Sequence, residues 1–75
     1  MNPIEKAFDL CGGKTGLANL LGIASPTVHQ WASGARPIPL ERCVDIEKAT
    51  DGKVTCEELR PDKADYWAHF RRPVN

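Results

Sequence analysis

Apolar residues in this chain recur at helical spacing. Ile4, Ala7, Phe8 and Cys11 stand at i, i+3, i+4 and i+7, the stripe that one face of a helix buries. Asn2-Pro3 ahead of them is a start signal, so the pattern predicts a first helix over about 3–10, ended by Gly12-Gly13. Leu17, Leu20 and Leu21, with small Ala18 among them, predict a second helix over roughly 14–21 that stops at Gly22. Ile23 follows as a buried plug. Ser25-Pro26 then restarts the helix, Ser as a cap for free N–H groups and Pro pre-set for a first helical position. This third helix runs over roughly 25–33 with Gly34 as its stop. Val28, Trp31 and Ala32 share its dry face, and Pro26, His29, Gln30 and Ser33 fall on a polar, uncharged one.

Beyond Gly34 the prolines set the pattern. Pro37 and Pro39 push their predecessors out of the helical region, so residues 35–38 form an extended connector. Pro39 opens a fourth helix, PLERCVDIEKAT, with Leu40, Cys43, Val44 and Ile46 facing inward and Glu41, Asp45, Glu47 and Lys48 on a solvated face. Asp51-Gly52 is a turn and Val54 packs back on the core. Thr55 with Glu58 three residues on is a capping box for a short fifth helix over roughly 56–60, closed by Pro61. Residues 1–62 then make one domain and 63–75 a tail. Tyr66, Trp67 and Phe70 in that tail form an apolar cluster that rarely stays in water. Three placements are open to it: over the domain's own core, against a second subunit as an oligomerisation segment, or frayed.

Two helices joined at a glycine describe a helix-turn-helix, a unit that cannot bury both its own apolar faces and needs flanking helices. Ala18 fits a close crossing, where a bulky side chain would hold the axes apart. The pattern of Ala18, Gly22, Ile23, Val28 and Trp31 resembles the helix-turn-helix of Cro and CI-type phage repressors. GGKTGLANLLGIASPTVHQW followed by IEKATDGKVTCEELRPD is similar, within that group, to the YdaS/Cro-like prophage regulators. The resemblance covers about residues 3–62. It implies an all-α fold, a five-short-helix lambda-repressor-like DNA-binding domain, and a transcriptional regulator that represses a phage or prophage operon by binding its operator. It also places base reading on Ser25, Pro26, Thr27 and Gln30, and a phosphate contact on Lys14.

Charge at first argues against nucleic acid: ten Lys and Arg balance ten Asp and Glu, whereas phosphate neutralisation supplies much of the affinity for DNA. The distribution of those charges points the other way. No acid occurs between Asp9 and Glu41, a stretch that contains Lys14, Arg36 and the whole helix-turn-helix, while Glu41, Asp45, Glu47, Asp51, Glu57, Glu58, Asp62 and Asp65 collect afterwards. A chain of 75 residues makes one small core. No run of about 18 apolar residues or secretory leader pattern occurs, which points to the cytoplasm and away from a membrane. Three cysteines, Cys11, Cys43 and Cys56, are an odd number and read as reduced, buried thiols.

The polar face of the third helix is the main candidate for chemistry. A major groove admits one helix, and short or amide side chains near its N-terminus reach base edges. Gln30 can contact adenine bidentately, Thr27 a thymine methyl or a phosphate, and Ser25 either. Pro26 has no donor and is restricted to apolar contact with a thymine methyl. His29 beside them suits a phosphate, a water or a base edge. Lys14, Thr15, Ser33 and Arg36 are placed to touch the DNA backbone, which positions without reading sequence.

Other chemistries fail on spacing. Gly12-Gly13-Lys14-Thr15 ends like a P-loop, but Phe8 stands where its first glycine belongs and no strand precedes it. The cysteines, His29 and His69 lack metal-ligand spacing, so neither metal nor cofactor is expected. Nor is an enzyme or a small-molecule substrate, in a domain with little room for a pocket. The expected partner is a double-stranded operator, bound by a homodimer or higher oligomer so that two recognition helices reach two half-sites. The alternative is a protein-interaction module of the same fold, antitoxin-like, that uses its acidic half.

Overall fold

A computed structural model describes residues 2–72. Its first helix, α1 (Pro3–Cys11), starts as the sequence demands: Asn2 Oδ1 accepts from the Glu5 N–H at 3.0 Å and the Glu5 carboxylate reaches back to the Asn2 N–H. This is a capping box that satisfies two otherwise orphaned donors. Gly12 alone ends α1, and Gly13 already belongs to α2 (Gly13–Leu21). α2 closes at Gly22, whose φ of 70° is the left-handed conformation that lets the chain reverse into α3 (Ser25–Ser33). α4 (Leu40–Ala49) follows the connector, and Thr55 and Glu58 form the expected capping box on α5 (Cys56–Leu59).

The aromatic spacing of the tail is that of a helical turn and a half, and the tail adds an element to the expected five. A 3-10 turn (Pro61–Lys63) leads into a sixth helix, α6 (Ala64–Phe70), so the described residues hold six α-helices rather than five, with no strand. Trp67 is fully buried, and its indole N–H donates to the Arg60 carbonyl at 3.0 Å. Tyr66 and Phe70 stand edge-on to it on either side, with ring centroids 5.1 and 5.8 Å away, and remain 50% and 47% exposed. The three aromatics therefore divide: one completes the core and two face outward.

The core gathers Ile4, Ala7, Phe8, Leu17, Ala18, Val28, Trp31, Ile38, Cys43, Ile46, Val54, Cys56 and Trp67. Leu20 does not join it and is 62% exposed. At about 100° per residue Leu20 lies about 60° behind Leu17, on the far side from Ala18, so the inward direction between Leu17 and Ala18 leaves it out. Ile23 is only partly buried, more a rim than a plug. Glu47 is not on a solvated face: it is half-buried, accepts from the Cys56 N–H at 2.9 Å and pairs with Arg71. Thr50 is buried as well, its hydroxyl donating to the Ile46 carbonyl and accepting from the Val54 N–H.

Two contacts fix the geometry on which the site depends. Gly16 of α2 sits against the end of α1 so closely that a Cβ there would overlap the Cys11 carbonyl oxygen. Arg60 donates to the Ile38 carbonyl at 2.7 Å, tying the connector after α3 to the segment that precedes α6.

Candidate nucleic-acid interface

Six of the nine candidate binding residues line one shallow depression: Lys14 and Thr15 from the first turn of α2, Ser25 and Pro26 from the first turn of α3, and His29 and Gln30 one turn further along. Among the described residues, no carboxylate lines it. Lys14, Thr15, Ser25, Pro26 and His29 are exposed and Gln30 is half-buried, while Val28 and Trp31 turn inward and hold α3 down. Thr27, half-buried, and Ser33 and Arg36, both exposed, lie outside the depression.

Two features that α1 and α5 combine, a side-chain N-cap and an acid in the first turn, are both missing here. Ser25 does not cap α3. It is the first helical residue, and the cap position belongs to Ala24, which has no side-chain oxygen to offer. α2 likewise starts at Gly12 without a side-chain cap. Neither helix has an acidic residue in its first turn, whereas α1, α4, α5 and α6 each carry at least one. Two helix starts thus open on one surface without a side-chain cap or an acid, where the helix dipoles favour anions. The sequence contained this signal in Gly12 and Ala24, residues with no side-chain oxygen, but Ser25 beside Pro26 mimics a cap one position too late.

Lys14 adds a fixed charge at the same place. Its ammonium donates to His29 Nδ1 at 3.1 Å and lies 5.8 Å from the centroid of the Phe8 ring. Ser33 serves the end of α3: its hydroxyl donates to the Gln30 carbonyl at 3.2 Å and its oxygen accepts from the Ala35 N–H. The Gly34 N–H is bonded within the same cap, to the Trp31 carbonyl at 3.3 Å. Arg36, in the bend that follows, makes no ion pair among the described residues.

The opposite half is acid-rich and internally paired. Arg71 bridges Glu57, at 2.7 Å, and Glu47, holding both carboxyls below their usual value of 4.5, and Arg60 pairs with Asp62 at 2.9 Å. Burial pushes the Cys43 thiol up to about 11 and the Cys56 thiol up to about 12, so both stay protonated and inert.

Comparison with known proteins agrees with this architecture. The family model described as "Bacterial toxin YdaS" matches residues 4–68. The chain belongs to the YdaS family. Over 68 residues, 91% of this chain and 67% of the relative, it is 48% identical to the Escherichia coli strain K12 protein named "Putative transcriptional regulator YdaS". Among solved structures it is similar to the "Cro protein from putative prophage element Xfaso 1 in Xylella fastidiosa strain Ann-1", with a TM-score of 0.76 and 44% identity. That match covers 83% of this chain and 94% of the Cro chain. A YdaS-family sequence on a Cro-like all-helical fold is therefore what the chain presents.

Proposed function

We propose that this protein is a Cro-like transcriptional regulator that binds double-stranded DNA with α3 in the major groove. The observation that carries this reading is the convergence of two uncapped, acid-free helix starts with Lys14 on the surface from which Ser25, Pro26 and Gln30 project. Phosphates lie against the helix starts, where the dipoles favour them, and Lys14, Thr15 and Arg36 set the register along the backbone. Gln30 takes an adenine edge, Pro26 a thymine methyl, and Ser25 and Thr27 base edges or phosphate. The acid-rich half stays away from the duplex, which reconciles zero net charge with binding to a polyanion. A single helix in one groove gives limited affinity, so the protein acts as a homodimer or higher oligomer on half-sites about 34 Å apart. Blocking polymerase access at its own operon is the consequence, and no catalytic step is required.

A gel-shift comparison tests the reading, using a duplex selected from a random library and a scrambled control. Gln30→Ala weakens the selected duplex by about 1–3 kcal/mol relative to the control, while Lys14→Ala and Arg36→Ala weaken both alike. Affinity falls linearly with salt on log–log axes. Absence of any selected duplex, or equal losses for Gln30→Ala on both, defeats it.

A further inference from the structure

The contact between Lys14 and His29 spans 15 positions of sequence and joins the start of α2 to the middle of α3. An ammonium only donates, so His29 Nδ1 must accept and carries no proton. The proton of the neutral ring is then on Nε2, and a hydrogen on Nδ1 would point at the lysine. Lys14 is itself positioned by the Phe8 ring. Glu5, the carboxylate that lines the neighbouring dent, is engaged in the α1 capping box rather than with Lys14. His29 is exposed, and its Nε2 makes no hydrogen bond among the described residues.

Resting on the DNA-binding reading above, we propose that Lys14 and His29 act as one unit, Lys14 fixing His29 as an outward Nε2–H donor that engages an acceptor on the duplex. The acceptor is a purine N7 or a phosphate oxygen, and an exocyclic amine, which also donates, is rejected at that position. His29 becomes a specificity-determining residue and Lys14 a positioning residue for it, beyond Lys14's own attraction for phosphate. The remaining two donors of the ammonium stay available to the backbone.

The experiment has two arms. In the first, nitrogen-15 NMR of the free protein reads the protonation of the His29 ring. Wild type shows the Nε2–H form, Lys14→Met mixes the two tautomers, and Lys14→Arg, which still donates, restores it. A proton resident on Nδ1 in wild type overturns the proposal without touching the DNA-binding reading. In the second arm, a selected duplex carries 7-deazapurines or methylphosphonates one position at a time. Wild type loses roughly tenfold in affinity at one position where His29→Phe loses nothing further. A 7-deazapurine position identifies N7 as the acceptor, and a methylphosphonate position identifies the backbone. Identical response of wild type and His29→Phe at every position overturns the role of His29. Failure of all duplexes with the Nε2–H form intact removes the DNA-binding reading and the acceptor role with it.

Discussion

The two halves of this domain treat their own charges in opposite ways. From α4 onward several acids and bases pair with each other: Arg42 with Asp45, Arg60 with Asp62, Arg71 with Glu47 and Glu57, and α5 opens on a capping box. Across α2 and α3 there is no side-chain N-cap and no acid, and neither Lys14 nor Arg36 makes an ion pair among the described residues. Unmet local interactions cost stability, and folded chains tolerate them where function uses the unmet group. Both halves supply the core, but the ion pairs among the described residues all lie from α4 onward.

The largest test of this contrast removes the anchor of the ion-paired half. Trp67→Ala should cost about 3–5 kcal/mol, since it deletes a fully buried indole and leaves the Arg60 carbonyl without its donor. Chemical denaturation reads the loss, and in so small a domain much of the population unfolds. A Trp67→Ala protein with an unchanged midpoint would mean that α6 is ornamental.

Converting one half toward the habits of the other is a sharper test. Ala24→Asp gives α3 the cap it lacks and should raise stability by about 1 kcal/mol. On the proposed DNA-binding reading the same carboxylate faces phosphate, so duplex binding at low salt should weaken by roughly tenfold. Melting curves and gel shifts on the same sample show whether stability and affinity move in opposite directions. If both rise, the open start of α3 is an accident of sequence.

The smallest effect lies in the Arg71 bridge. Glu47 and Glu57 have folded values below the ordinary 4.5, held there first by hydrogen bonds from Arg71. Their contribution is complete above the unfolded value and is lost as pH falls through the folded ones. Arg71→Ala should cost no more than about 1 kcal/mol near neutrality, because these pairs are partly exposed to solvent. Its stability should then decline less steeply than wild type below about pH 4.5. Parallel acid titrations of the two proteins would contradict the pairing.

What the sequence disclosed was governed by range. The stripes Ile4-Ala7-Phe8 and Val28-Trp31, the stop at Gly22 and the Thr55–Glu58 box are local, and each is in place. Interactions between distant segments left no spacing to read. Glu47 meets Arg71 across 24 positions and Arg60 meets Ile38 across 22, so a carboxylate assigned to solvent is half-buried. Thr50 is buried because its hydroxyl closes the turn after α4, which no hydrophobic pattern announces. Within the candidate interface, residue types and neighbourhood were legible, but the pairing of Lys14 with His29 exists only once α2 and α3 cross.

The seat of Gly16 on the end of α1 has a consequence for how this protein can vary. A single added carbon at that spot would pry α2 away from its neighbour and carry Lys14 off its mark, although residue 16 belongs to neither the candidate interface nor the clasped acidic half. Drift can redecorate the rim of such a molecule freely, yet the bearing of one rod against the next hangs on a hydrogen that has no substitute.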